Sequence, residues 1–214
     1  MKVYMFGCRH NSLYAHQQLK EGLQDCLDQG VEPEFVAVEY KKSMKEQILR
    51  QRDFECLEES RKNFLREKIG DEYHHITPSI GYDMDSHQEY YPDVETVWLD
   101  DDRELDELEK DAPNHFLYNT IVNVLNFKDK NRLNFDGEFW KRYMAEEKKT
   151  VCQPAYNTER DQMWLQTLIP YLLLEEDQSC IIIVGADHIS KHEGVLKELL
   201  EEAGHVVVLR DCTC

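Results

Sequence analysis

The sequence predicts an α/β protein: a central sheet, mixed or parallel, made from two related strand–helix–strand halves with a helical middle insertion. Three observations carry this reading. Short unbroken apolar runs, rich in branched and aromatic residues, alternate with amphipathic stretches, the pattern of strands buried on both faces. The chain opens and closes with the same unit, a strand, a Gly-x-x-His turn, a helix and a second strand. Its 214 residues, 41% of them apolar, suffice for one full core. A single domain is therefore expected over residues 1–214, with an N-terminal half to about residue 110, a helical middle over about 111–150 and a C-terminal half over about 151–214.

The first strand is Val3-Tyr4-Met5-Phe6, which runs into Gly7-Cys8-Arg9-His10. Ser12 is placed to cap the next helix, where Leu19, Leu23, Cys26 and Leu27 recur at helical spacing. Gly30 closes that helix, and Pro33 leads into Phe35-Val36-Ala37-Val38, which stops at Glu39. Residues 43–69 are charged and mostly helical, with Ile48, Phe54, Leu57, Phe64 and Leu65 as the apolar stripe. From Gly70 to Pro92 periodicity fails, and the Tyr, His, Asp, Gly and Pro content predicts a long loop or insertion near the site.

Glu95 to Leu99 is the third strand, followed by Asp100-Asp101-Asp102 and a short acidic helix with Leu105 and Leu108. Helical pieces over 114–149 break around Asn131 to Gly137. Asn157 or Thr158 caps a helix carrying Glu159, Arg160, Met163, Trp164 and Leu168, which Pro170 kinks or ends. Ile181 to Val184 is the fourth strand, and Gly185-Ala186-Asp187-His188 repeats the first turn. Ser190 and Glu193 form a capping box, Val195, Leu196, Leu199, Leu200 and Ala203 give the apolar face, and Gly204 stops the helix. Val206 to Leu209 completes the second unit.

A formal net charge of −18, from 43 acidic and 25 basic residues, excludes the basic footprint that nucleic acid or an anionic membrane surface requires. It favours cations, divalent metals among them. The first strand is too short for a signal-peptide core, and the longest apolar stretch, Leu165 to Leu174, is interrupted by Gln166, Thr167 and Pro170. The expectation is a cytoplasmic protein without a membrane anchor, its seven cysteines mostly reduced. Cys26, Cys56 and Cys180 are expected in the core or on helix faces, and Cys212-Thr213-Cys214 as a frayed tail. Oligomeric state is not encoded in any of these features.

The functional reading hangs on the paired Gly-x-x-His turns. With nine Gly and nine His, random placement would give about 0.4 such matches, and here two occur, each at a strand end and each before a helix. Ligands of open parallel sheets bind beyond the carboxyl ends of strands. His10, Glu39 and His188 all stand at such ends. Two imidazoles and a carboxylate suit a divalent metal with open positions, and a metal lowers the pKa of bound water and polarises a carbonyl. Glu39 is expected as a ligand or as the base, and Glu159 and Arg160 open a helix from which the arginine could stabilise an oxyanion. Asp100 and Asp102 read as solvated charge, and His192 as a surface residue. No serine-nucleophile elbow, phosphate loop or nicotinamide fingerprint is present.

In order along the chain, the two Gly-x-x-His turns, Val36-Ala37-Val38-Glu39, Leu99-Asp100-Asp101-Asp102 and Glu159-Arg160-Asp161-Gln162-Met163 resemble the motif set of the TraB/Tiki family, within the wider erythromycin esterase/ChaN-like superfamily. Val184-Gly185-Ala186-Asp187-His188 with its amphipathic helix is the most specific match, and the similarity covers about 1–40, 94–110 and 155–210. The sequence departs from the pattern at Cys8, at Asp187 and at Tyr40-Lys41. The resemblance implies the superfamily's α/β fold, with two β-containing repeats and helices outside. It implies a metal-dependent peptidase using a divalent ion (Mn, Co or Zn), a metal-free esterase-type hydrolase with His10 as base, or a haem-, metal- or peptide-binding module. The implied site is His10, Glu39, Arg160 and His188, with Glu159 in reserve, acting on a small-molecule or peptide substrate.

Overall fold

Five strands form one all-parallel sheet in the order β3-β2-β4-β1-β5, where β1 is Lys2–Cys8, β2 Pro33–Val38, β3 Glu95–Trp98, β4 Ser179–Gly185 and β5 Val206–Asp211. Parallel pairing resolves the mixed-or-parallel alternative left by periodicity. The computed structural model describes residues 1–100, 107–149, 158–173, 178–189 and 195–213. The expected capping box at Ser190 and Glu193, and Asp102, Leu105, Asn157, His192 and Cys214, lie outside the described residues.

The two predicted units exist, but they interleave rather than sit side by side. β4 pairs with both β1 and β2, and β1 pairs with both β4 and β5. Each unit thus straddles the central strand of the other, as if related by a twofold axis parallel to the strands between β4 and β1. The helix of the first unit, α1 (Leu13–Asp28), buries Leu19 and Leu23 on one face against Phe6, Val36, Val38, Ile181 and Ile183. The helix of the second, α8 (Leu196–Glu202), buries Leu196 and Leu200 on the opposite face against Val3, Met5, Phe35, Ala37 and Ile182. Successive residues of β1, β2 and β4 divide between the two clusters, which is the period-2 alternation of a strand covered on both sides.

Between β2 and β3 lie α2 (Lys45–Arg52), α3 (Glu59–Lys68) and α4 (Tyr73–Ile76). From Thr77 to Glu89 the expected loop is a string of short 3-10 turns. Arg52 holds it by donating to the carbonyls of Ile80 and Gly81 and, at 2.8 Å, to Asp85. Gly81 takes φ +53°, a left-handed turn that carries the chain into Tyr82 and Asp83. After β3 come α5 (Glu107–Asn131) and α6 (Gly137–Lys149), with the break at 132–136 where the sequence placed it. Phe54, Leu65 and Ile76 pack with Leu117, Ile121, Phe139 and Trp140 in a core of their own. The helical layer therefore draws on residues 45–76 as well as on the expected middle.

The helix α7 (Thr158–Leu172) covers the α8 face of the sheet through Trp164, Leu168 and Leu172. Pro170 does not end it: the helix runs on to Leu172, and the amide of Leu173 bonds the carbonyl of Ile169, with the amide donor missing at Pro170 itself. Cys26 and Cys180 are buried and Cys56 is exposed on a 3-10 turn, as expected of core and helix-face residues, whereas Cys212, expected in a frayed tail, is buried with its amide bonded to the Gly7 carbonyl. No helix among the described residues is long and apolar enough to cross a membrane.

Candidate active site

The interleaving places β1 and β4 as neighbours, so both Gly-x-x-His turns leave the carboxyl edge of the sheet side by side, with the end of β2 next to β4. Gly7 is required for close approach: a Cβ there would stand 2.1 Å from the Ile189 side chain. Gly185 is required for the site itself, since its Cβ would lie 3.0 Å from Glu39 Oε2, 3.3 Å from His10 Nε2 and 3.5 Å from His188 Cδ2. Three side chains thus converge on a space that only glycine leaves open.

Glu39 is the centre. Its Oε1 lies 3.6 Å from His188 Nε2 and its Oε2 3.8 Å from His10 Nε2. The backbone N–H of Gly185 donates to Oε2, and Arg160 Nη1 donates to Oε1 at 2.7 Å. Each histidine turns its other nitrogen to a buried carboxylate. His10 Nδ1 meets Asp83 at 2.7 Å, and His188 Nδ1 meets Asp161 at 2.5 Å. Tyr40 donates to Asp83 at 3.0 Å, and the amide of Val195 donates to the second oxygen of Asp161 at 2.9 Å. Asp161 is fully buried and Asp83 1% exposed, so both carboxylates are held by their partners rather than by water.

Arg160 opens α7 with its fork across two acids: Nη1 on Glu39, Nε at 3.1 Å and Nη2 at 2.6 Å on Asp100. Trp164, one turn later, donates to Asp100 at 2.9 Å, lies 4.6 Å from the guanidinium and packs 4.4 Å from the His188 ring. The helical spacing of Arg160, Asp161 and Trp164 therefore aims three side chains at the sheet edge.

Burial disfavours a charged imidazole in His10, but Asp83 and Glu39 outweigh it and hold the pKa well above the ordinary histidine value. The same contest in His188, with Asp161 and Glu39 as partners, ends at about 9. For Glu39 burial alone would raise the carboxyl, yet His10, His188 and Arg160 hold it well below the usual carboxylate range. Burial also lowers Arg160, and Asp100 and Glu39 more than reverse it.

The structure thus brings together His10, Glu39, Arg160 and His188. Glu159 is exposed on α7, beside Met163, Gln166 and Leu199, and makes no hydrogen bond or ion pair among the described residues. Asp100, expected as solvated charge, is instead the anchor of Arg160 and Trp164. Asp83, Asp161 and Tyr40 were not singled out from the sequence. Asp161 carried one signal, its place beside Arg160 at a helix start, because a ligating histidine needs an acceptor for its second nitrogen. Asp83 carried none.

Both imidazole Nε2 atoms face Glu39, each imidazole is fixed through Nδ1 by a carboxylate, and Gly185 leaves the space between them, so the side-chain types are those that bind a divalent metal. Their spacing is not that of a metal centre: among the described residues no group of three or more His, Cys, Asp or Glu side chains is placed to hold a metal ion. Fold and site together define an α/β protein with a histidine–carboxylate cluster at the carboxyl edge of a parallel sheet. Comparison with protein-family models, with curated proteins and with solved structures finds no match.

Proposed function

We propose that the protein is a TraB/Tiki-like hydrolase of peptide or amide bonds, with a divalent metal held by His10, His188 and Glu39. The observation that carries this is the convergence of both Nε2 atoms on Glu39 while both Nδ1 atoms are locked by Asp83 and Asp161. Buried carboxylates behind histidines are the usual means of fixing ring orientation and raising ligand basicity. A bound Mn, Co or Zn ion would supply a water of lowered pKa and a Lewis acid for the scissile carbonyl.

The chain's own residues orient the rest. Arg160 keeps Glu39 ionised and aimed, and this positioning duty takes precedence over the oxyanion role read from the sequence. Trp164 screens His188 from solvent on one side. His10 is the open member of the trio, its side chain 36% exposed against 7% for His188 and 6% for Glu39, so substrate is offered to the cluster from the His10 side.

The test is elemental analysis of protein purified without chelator or affinity histidines, with His10→Ala and His188→Ala alongside, followed by a peptide screen. The expected result is near-stoichiometric metal in the wild type, lost in both variants, with hydrolysis falling at least a hundredfold. Full metal occupancy in both variants sinks the assignment.

One observation favours a second reading, a metal-free hydrolase with His10 as base. Both oxygens of Glu39 are already engaged, by Arg160 and by the Gly185 amide. Hydrolysis that survives exhaustive chelation would select it.

A further inference from the structure

A cleft of about 420 Å³ opens beside His10, between the β1–α1 turn on one side and α5 and α6 on the other. That volume is in the range of small-ligand sites. Along α5 the residues facing it include Asn119, Asn123 and Asn126, four and then three apart, so they share one helix face. All three are exposed, and among the described residues none of their carboxamides has a hydrogen-bond partner. Asparagine is a poor helix former, and neither capping nor packing accounts for three of them here. The two sides of the cleft are joined at one end. Glu147 of α6 accepts from Ser12 and from the amide of Tyr14, both at 3.1 Å, which ties α6 to the start of α1.

We infer that this asparagine face is a main-chain-binding subsite, which holds about three residues of an extended peptide beside His10. The inference rests on the hydrolase reading above and names how its substrate is gripped. At about 1.5 Å rise per residue, Asn119 and Asn123 are about 6 Å apart along the helix and Asn119 and Asn126 about 10.5 Å. An extended peptide advances about 3.3 Å per residue, so amides facing one way recur every 6.6 Å or so, near the Asn119–Asn123 spacing, and Asn126 lies beyond the second of them, on the side of the carbonyl of the same residue. Each carboxamide offers a donor pair and an acceptor, the complement of a peptide N–H and C=O. The stripe carries no charge, so it reads the main chain and leaves the side-chain sequence of the substrate open.

The test is a titration of ¹⁵N-labelled full chain with N-acetyl-Ala-Ala-Ala-N-methylamide, following the Asn side-chain NH₂ resonances. The signals of Asn119, Asn123 and Asn126 should shift together to saturation. Asn119→Ala, Asn123→Ala and Asn126→Ala should each raise Kd about fivefold, the effect of one lost hydrogen bond. Alanine is the better helix former, so these variants keep the fold, and unchanged far-UV dichroism checks this. Methylating the peptide amides one at a time should weaken wild-type binding at one position at least fivefold and leave the matching variant unaffected. Unmoved side-chain signals overturn the inference, as does equal binding of every methylated peptide. A response to maltotriose with none to the peptide also overturns it and marks a glycan cleft. Because the readout is binding, its failure is separable from that of the hydrolase reading. Peptide bound but never cleaved removes only the hydrolase, and cleavage with an unchanged KM in the triple variant removes only the subsite.

Discussion

Gly185 and the two buried aspartates show how little freedom single positions of the site have. Gly185→Ala places a methyl at 3.0 Å from a carboxylate oxygen and 3.3 Å from an imidazole nitrogen, both held from behind. Neither can retreat without breaking the Arg160 or Asp83 contact. The expected outcome is a stability cost of about 1–3 kcal/mol, read by urea denaturation, and, on the proposed hydrolase reading, loss of turnover by a hundredfold or more in steady-state kinetics. Asp161→Asn keeps the shape but exchanges an acceptor-only partner for an amide. On the proposed metal site, affinity should fall about 10–100-fold, measured by competition with a chromophoric chelator, while Glu159→Gln should leave it unchanged. His87 gives the acid dependence of stability. It is fully buried, its Nε2 is 2.8 Å from the Thr96 hydroxyl, and burial with Lys45 nearby lowers its pKa to about 4. The unfolded chain, at about 6.5, binds the proton first as pH falls. Stability is therefore full above pH 6.5 and declines towards pH 4, by about 3 kcal/mol from this residue. Denaturation midpoints from pH 7 to pH 4.5 should fall less steeply in His87→Gln.

The elements differ in what they contribute. Helices α1 and α8 mainly cover the sheet, whereas α7 covers it with Trp164 and Leu168 and delivers Arg160 and Asp161 to its edge. Leu168→Ala should cost about 2–5 kcal/mol, as deletions at fully buried leucines do, and should also lower turnover because the helix start is tethered through the same turns. An α1 substitution of equal cost, Leu19→Ala, should leave turnover per folded molecule nearer to normal, with thermal melts and activity on one preparation separating the two. Legibility in the sequence follows the same division. His10, Glu39 and His188 were readable because each closes an apolar run, and a polar residue at a strand end needs a reason. Arg160 was readable as a helix start. Asp83 was not, because its position depends on Arg52 gripping two carbonyls and on a left-handed Gly81, and neither leaves a periodic trace. Asp100 was misjudged because its neighbours Asp101 and Asp102 make the whole run read as solvent-facing charge.

At the scale of the molecule, periodicity located all five strands to within a few residues but said nothing of their order. Strand order is set by which apolar faces meet, a long-range matter, and the expected two halves prove to be threaded through each other. Neither half holds a complete site, since His10 and Glu39 come from one and Arg160 and His188 from the other. A chain divided within the 132–136 connection should give two fragments that are each unfolded alone. Co-expressed, they should purify as a one-to-one complex with a single cooperative melt, checked by near-UV dichroism. Two independently melting fragments would contradict the interleaved sheet.

The position of β4 bears on how the protein is made. On the ribosome β1, β2 and β3 are complete by Trp98, yet the strand that belongs between β1 and β2 ends at Gly185. At 5–20 residues per second the interval is roughly 4–17 s. Throughout it the nascent chain carries two apolar strands with open edges and no partner for the gap between them. Such edges invite pairing with other chains. The late arrival of the central strand thus makes synthesis of the sheet dependent on shelter, and chaperone-depleted cells should accumulate the protein as aggregate.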